Sequence, residues 1–331
     1  MSVAGDAARA RARAVLALFV ACTLWGFGFV LVKAFTTATI DGEPRLASWF
    51  VASFMVCARF GAAGVIVWAV ERSRPERGEW IQGLGLGAST GLGMVLQTDG
   101  LAYTNASTGA FLTQGYVVLL PVVGALWTLR LPPFRIMGSA TLVLAGLALL
   151  SHLDLQTLRL GRGEAETLAA AACFTAQILV LDARRFRKNR TGPVSFVMFL
   201  SMALVALPVS VATARSGADV SAILRAPGSL GLLAAMTLLP TLGSFLLMNR
   251  FQRHVTAAEA GIVYATEPVI ASASALFFPA VLSHLLGIDY PNESLDPRLV
   301  TGGALVVVAN FLLAFTSAPV GAAPAPAEPA P

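Results

Sequence analysis

Apolar runs recur along the whole of this chain, many of them close to the twenty or so residues that a helix needs to cross the hydrocarbon core of a bilayer. Inside that core every backbone N–H and C=O must be paired within its own segment, so repeated runs restrict the chain to a bundle of transmembrane helices. Read by length, the spans are 14–34, 47–70, 81–102, 106–128, 134–151, 165–182, 194–214, 228–249, 257–282 and 299–317. Charged or turn-rich connectors divide them, such as Glu71-Arg72-Ser73-Arg74-Pro75-Glu76-Arg77 and Arg184-Arg185-Phe186-Arg187-Lys188-Asn189-Arg190. Composition agrees, since 12% of the 331 residues are charged, against about 25% in an ordinary soluble domain. A water-soluble fold of this size would lack the polar residues to cover itself.

The formal charge of +5 does not point to nucleic acid, because the basic residues fall in short clusters between apolar runs. Cytoplasmic loops carry such clusters. With the N-terminus inside, 15 Lys and Arg residues fall in inner segments and 7 in outer ones, with Arg59 left inside a span. Both termini are therefore expected in the cytoplasm, and the protein in the cell inner membrane. Arg9, Arg11 and Arg13 before the first run resemble the start of a signal peptide. Cleavage is not expected, because the run continues to Ala34 without a small-x-small exit. Cys22, Cys57 and Cys173 lie in apolar stretches without metal-ligand spacing and read as small hydrophobes. The tail 318–331 is rich in Ala and Pro and is expected to be disordered.

A shift of 152 residues aligns the two halves without a gap over spans one and six, and again over spans three and four with eight and nine. Gln97 falls on Asn249, Thr104 on Thr256, Ala106 on Ala258, Gly109 on Gly261 and Val117 on Val269. Five spans separate the copies, and an odd number inverts the second copy in the membrane. Inverted repeats of this kind place a substrate site near the midplane, where the halves meet. The fold expected is thus an all-α polytopic membrane protein, with ten transmembrane helices in two inverted five-helix repeats. Its parts are a cytoplasmic segment 1–13, a first repeat 14–151, a second repeat 165–317 and the tail 318–331.

Several stretches resemble the EamA-like family of the drug/metabolite transporter superfamily. They are Leu24-Trp25-Gly26-Phe27 leading to Lys33, the pair Arg59-Phe60, Leu96-Gln97-Thr98-Asp99-Gly100 with Ala110 to Val122, and Asn249-Arg250 with Ala258-Glu259-Ala260-Gly261 leading to Glu267-Pro268-Val269. The resemblance implies a ten-helix secondary transporter with both termini inside, and it favours export over import. Two departures stand at span ends. Leu131-Pro132-Pro133 and Ser283-His284-Leu285-Leu286 replace a Gly-Glu pair usual in the family, and the loop from Ser283 to Pro297 is longer than usual.

A charge at bilayer depth costs about 2.5–3.5 kcal/mol on insertion scales and so marks a candidate functional site. Arg59 and Glu267 lie near the middle of spans two and nine. Glu267 reads either as a proton-coupling carboxylate or as a structural partner of Arg59; Arg59 reads either as a binder of a substrate carboxylate or as a packing residue. Pro268 is expected to kink span nine beside the acid. Asp99, a second coupling candidate, is expected near the outer end of span three with water to solvate it. Gln97 and Asn249, at equivalent repeat positions, either bond substrate or bond across helices. Trp25, Tyr116 and Tyr264, with Gln114 and Gln177, complete the candidate cavity set, with helix packing as the alternative for the aromatic rings. Gly83, Gly85, Gly87, Gly91 and Gly93 read as a close-packing face rather than a phosphate loop. His152, His254 and His284 are scattered among connectors, so neither a metal site nor a cofactor is expected.

The function expected is alternating-access transport of small metabolites such as amino acids or drug-like compounds, with protons as a possible coupling ion and lipid as the surrounding partner. An integral-membrane enzyme is the main alternative, but HExxH, GxSxG and any clustered His/Asp set are absent. A nucleotide-driven pump lacks its GxxxxGK[ST] loop. A channel built on the same bundle is the remaining alternative.

Overall fold

The computed structural model describes residues 3–129, 134–150, 160–255, 263–264 and 266–316. The tail 318–331, His152, Leu131-Pro132-Pro133 and Ala258-Glu259-Ala260-Gly261 lie outside them. Every regular element among the described residues is helical. In chain order these are α1 (Val3–Ile40), α2 (Ser48–Glu71), α3 (Arg77–Tyr103), α4 (Ala106–Thr113), α5 (Tyr116–Thr128), α6 (Phe134–Leu150), α7 (Arg162–Asp182), α8 (Thr191–Thr213), α9 (Gly217–Arg225), α10 (Ser229–Met236), α11 (Ser244–Phe251), α12 (Glu267–Ala275), α13 (Phe278–Leu286) and α14 (Pro297–Thr316). A π-helical segment, Thr237–Gly243, joins α10 to α11.

Among the described residues five helical stretches are long and apolar enough to cross a membrane: Arg11–Ile40, Ser48–Glu71, Arg162–Leu181, Thr191–Thr213 and Ser229–Phe251. A sixth results if α12 and α13, which meet at 53°, form one bent span. Helix α3 is long but too rich in glycine and polar residues to join them on apolarity; Glu79, Gln82, Gln97, Thr98 and Asp99 are all buried in it. Helix α1 begins at Val3, so Arg9, Arg11 and Arg13 stand on helical turns rather than in a separate leading segment. Apolar side chains such as Val65, Trp68, Val70 and Val211 are exposed on α2 and α8, as lipid-facing surface requires.

Two runs read as single spans are broken in the structure, and a third is distorted. The run 106–128 divides at Gln114-Gly115 into α4 and α5. The run 228–249 widens into the π segment around Pro240, which has no N–H to give an α-helical ladder and whose ring would strike a carbonyl one turn back. The bend between α12 and α13 falls at Leu276-Phe277, just ahead of Pro279 in the first turn of α13. The kink expected at Pro268 is instead a helix start: Pro268 lies in the first turn of α12, where a missing N–H costs nothing.

Lipid supplies little hydrophobic drive between helices, so their association rests on close packing and hydrogen bonds. Helix α3 shows this directly. Gly83, Gly87 and Gly91, one turn apart, face α8, and a Cβ on Gly83 would lie 2.5 Å from Val197 Cβ, one on Gly91 2.9 Å from Met202 Cα. Gly93 faces Phe174 of α7 at 2.8 Å on the same measure, and Gly100 meets the Gly163 carbonyl oxygen at 2.8 Å. Gly85 has only ordinary contact with Val180. The bundle is then built from α3 on α7 and α8, α2 on α8, α1 on α11 and α12, α4 on α7 and α12, and α6 on α14.

Candidate functional site

Helical periodicity turns one face of each central helix toward a common cavity of about 100 Å³. Helix α1 contributes Trp25, Gly28, Phe29 and Val32, and α3 contributes Met94, Gln97, Thr98 and Leu101. Both sets have the spacing i, i+3, i+4, i+7 of one helical stripe. Phe174, Gln177 and Ile178 come from α7, Phe245 and Met248 from α11, Arg59 from α2, and Thr113, Tyr116, Pro240, Tyr264 and Glu267 from or beside helix breaks. The wall is largely aromatic. Trp25 stands edge-on to Phe245 at 5.4 Å and to Tyr264 at 6.1 Å, and Phe245 in turn packs on Phe60 and Phe199.

Arg59 is the twelfth residue of the 24 in α2 and is buried. Its Nε donates to Thr241 Oγ1 at 2.5 Å, and its guanidinium lies 4.9 Å from the Phe60 ring centre. The π segment matters here, since it presents Thr241 and Pro240 where a regular helical turn would continue. The Nη groups have no hydrogen bond or ion pair among the described residues. Glu267, opposite in charge and on the same cavity, is not ion-paired with Arg59 and has no hydrogen bond among the described residues. It occupies the first turn of α12, where the dipole of a helix favours a negative group. Gln177 is likewise without a hydrogen-bond partner among the described residues. Other polar atoms are committed to protein: Gln97 Nε2 donates to Thr113 Oγ1 at 2.8 Å, and the Tyr264 hydroxyl donates to Gln252 Oε1 at 2.6 Å.

Seven of the residues singled out in the sequence therefore meet at one cavity: Trp25, Arg59, Gln97, Tyr116, Gln177, Tyr264 and Glu267. Three stand elsewhere. Gln114 is buried behind the wall, where its Oε1 accepts the Tyr116 hydroxyl at 3.0 Å. Asn249, the repeat counterpart of Gln97, donates to Ser195 Oγ of α8 at 2.9 Å and is absent from the lining. The wide turn of the π segment re-phases α11, so Met248 faces the cavity instead. Asp99 is fully buried rather than wetted, and its Oδ2 is ion-paired with Arg162 at 2.5 Å. Phe29, Met94, Thr98, Phe174 and Phe245 were not singled out, although the stripes running from Trp25 and Gln97 predict the first three.

The end of α3 remote from Asp99 carries a different polar cluster. Glu79 accepts the Arg190 Nε and Nη2, both at 2.8 Å, the Arg190 backbone N–H at 3.0 Å and the Glu76 N–H at 2.8 Å. Asn189 adds a bond to Gln82 at 2.9 Å. The Arg190 side chain, with help from the two backbone donors, holds the Glu79 carboxyl at about 2, against the opposing effect of burial.

Comparisons with known proteins bear on this architecture. Residues 12–152 match the EamA-like transporter family, a range that covers the first of the two repeats read from the sequence. An uncharacterized transporter of Archaeoglobus fulgidus is 25% identical over 310 residues, covering 92% of this chain and 87% of its own. A solved structure, described only as the crystal structure of a protein, is 17% identical with a TM-score of 0.54, covering 91% of this chain and 96% of that one, and it supports the fold alone. Apolar helices around a polar cavity, the match of residues 12–152 to the EamA-like transporter family and the likeness to a transporter along nearly the whole chain together support a membrane transporter.

Proposed function

We propose that the chain is a secondary transporter of ten spans in two inverted repeats, carrying amino acids or similar small zwitterions across the inner membrane by alternating access. The observation that carries this reading is the pair Arg59 and Glu267, oppositely charged, lining one aromatic cavity and not neutralising each other. A substrate carboxylate on Arg59 and a substrate ammonium near Glu267 would satisfy both, and the aromatic wall would take an apolar side chain.

Two features support the repeat. Exchanging each span with the one five places on interchanges the packing of α3 on α7 with that of α1 on α11, and of α4 on α7 with that of α1 on α12. The helix breaks also correspond: at the offset of 152, Gln114 and Gly115 fall on Thr266 and Glu267, where α5 and α12 begin. Interrupted helices at matching positions of two halves are the usual frame of a midplane substrate site. The charge asymmetry of the connectors supports a topology with both termini in the cytoplasm, and export is the direction the family suggests.

Glu267 is the proposed coupling acid, able to take a proton whenever the cavity opens to water. The test is uptake and counterflow in proteoliposomes with amino acids, nucleobases, sugars and cationic drugs, with and without a pH gradient. Gradient-dependent accumulation of amino acids that is lost in Glu267→Gln is the expected result. Accumulation that ignores the gradient, or survives in Glu267→Gln, would remove Glu267 from the mechanism.

A further inference from the structure

Asp99 is a buried acid that the cavity does not use. Its Oδ2 receives Arg162 Nη2, and its Oδ1 is fully buried with no hydrogen-bond donor. Four residues after Arg162 on α7, Glu166 shows the same imbalance: Oε1 receives Arg162 Nε at 2.8 Å, and Oε2 is buried without a donor. Among the described residues the guanidinium gives no hydrogen bond to either orphan oxygen. Its remaining nitrogen donates to the Tyr103 hydroxyl at 2.7 Å, Nη2 also reaches Ser48 Oγ at 3.3 Å, and its face lies 4.2 Å from the Tyr103 ring centre. The two carboxyl groups are held by Nε and Nη2 of one guanidinium and so are brought together on it.

Two ionised carboxylates cannot bond to one another, because neither has a proton to give. We infer that Asp99 and Glu166 share a single bound proton and form, with Arg162, a proton-binding latch at this end of the bundle. One proton turns the cluster from two negative charges and one positive into a neutral set, and it supplies the donor that both orphan oxygens lack. Such a proton belongs to the pair rather than to either residue.

Among the described residues no other charged group neutralises the second acid. The charged groups acting on Glu166 are Asp99 and Arg162, and those acting on Arg162 are Glu166, Asp99 and Tyr103. Lys33 of α1 is engaged with the carbonyls of Leu101 and Ala102, Glu164 accepts Thr104 Oγ1 at 3.0 Å, and α2 contributes only Ser48. Arg162 is 43% exposed, so water reaches the cluster and the proton can exchange. On the topology proposed above, that water is external. The latch ties α2, α3 and α7 together; losing the proton leaves two facing carboxylates and loosens that tie.

The test is infrared spectroscopy of the full-length protein, with Glu267→Gln as background to silence the cavity acid. A protonated-carboxyl band is expected at a pH above the range in which solvated carboxylates are protonated, and should be lost as the pH is raised further. Adding Glu166→Gln or Asp99→Asn should remove it. No band at the lower pH, or a band that survives both changes, would overturn the inference. Thermal stability gives a second readout, which covers a failure of Asp99→Asn to fold. A proton held in the folded state and released on unfolding makes stability fall as pH rises. Wild type should lose several degrees of melting temperature over the same rise in pH, whereas Glu166→Gln, whose amide N–H replaces the proton, should not. Equal pH dependence in the two proteins would also overturn it. Neither readout needs a substrate, so the latch and the transport reading fail separately.

Discussion

Glu79 and Glu267 are both acids of the helical bundle, and they are held in opposite ways. Glu79 stands at the start of α3 with four donors on its two oxygens, three of them from Arg190. Glu267 stands at the start of α12 on the wall of the cavity, with Arg59 on the same wall, yet it bonds to nothing among the described residues. A carboxylate with its donors supplied is a structural tie whose ionised form the fold has already stabilised. A carboxylate left without them in an enclosed place is available to a ligand or a proton, and stability alone gives no reason to keep it. The difference lies in what surrounds each acid: a loop from the second half closes over Glu79, whereas Glu267 faces open space.

Replacing the free acid should have the largest effect on transport. Glu267→Gln is expected to reduce gradient-driven accumulation by about 100-fold, the scale on which a positioned proton-transfer group acts, with a melting temperature no lower than wild type. A folded variant that still accumulates substrate against the gradient would make Glu267 no different in kind from Glu79.

The next effect is expected at Arg59→Lys. A lysine keeps the charge but loses the planar fork and the Nε bond to Thr241. The apparent affinity for a carboxylate-bearing substrate should fall about tenfold, with the response to a pH gradient retained, measured by competition for uptake. Unchanged affinity would assign Arg59 to packing.

Glu79→Gln should leave transport per folded molecule unchanged and lower the melting temperature in detergent by a few degrees. The pH dependence carries the sign. The folded carboxyl is held at about 2 against an ordinary value of 4.5, so its contribution is complete above the ordinary range and is lost as pH falls from 4.5 toward 2. Thermal melts across that window should show wild type converging on the variant as pH falls.

The smallest contrast separates two amides. Gln177→Ala, which removes an uncommitted group from the cavity, should weaken substrate binding about threefold. Asn249→Ala should leave binding unchanged and cost only the interhelical bond to Ser195, about 0.6 kcal/mol. Equal effects on binding would mean that the phase of α11 differs in the working protein.

Much of the architecture was legible in the sequence because it rests on local properties. The length and apolarity of α1, α2 and α8 decide by themselves that these helices suit a bilayer. The glycine spacing of α3 likewise announced a close-packing face. Arg59 and Glu267 stood out because a charge among apolar neighbours needs no partner to be noticed. Asn249 was misplaced because the repeat offset assumes equal helical phase in both halves, and the π segment around Pro240 breaks that equality. Asp99 was misread for another reason: its ion-pair partner Arg162 lies 63 residues away on α7, in a connector that the charge count treated as simple external loop.

The sequence by itself determined that this chain is a helical membrane bundle with charges at its centre, since hydropathy and charge are properties of each segment alone. Only the tertiary structure decided which polar groups are spent and which are left free. That division depends on contacts such as Arg59 with Thr241, 182 residues apart, and Glu79 with Arg190, 111 apart. Such pairings arise when helices with particular breaks and phases pack against each other, and no local pattern encodes them.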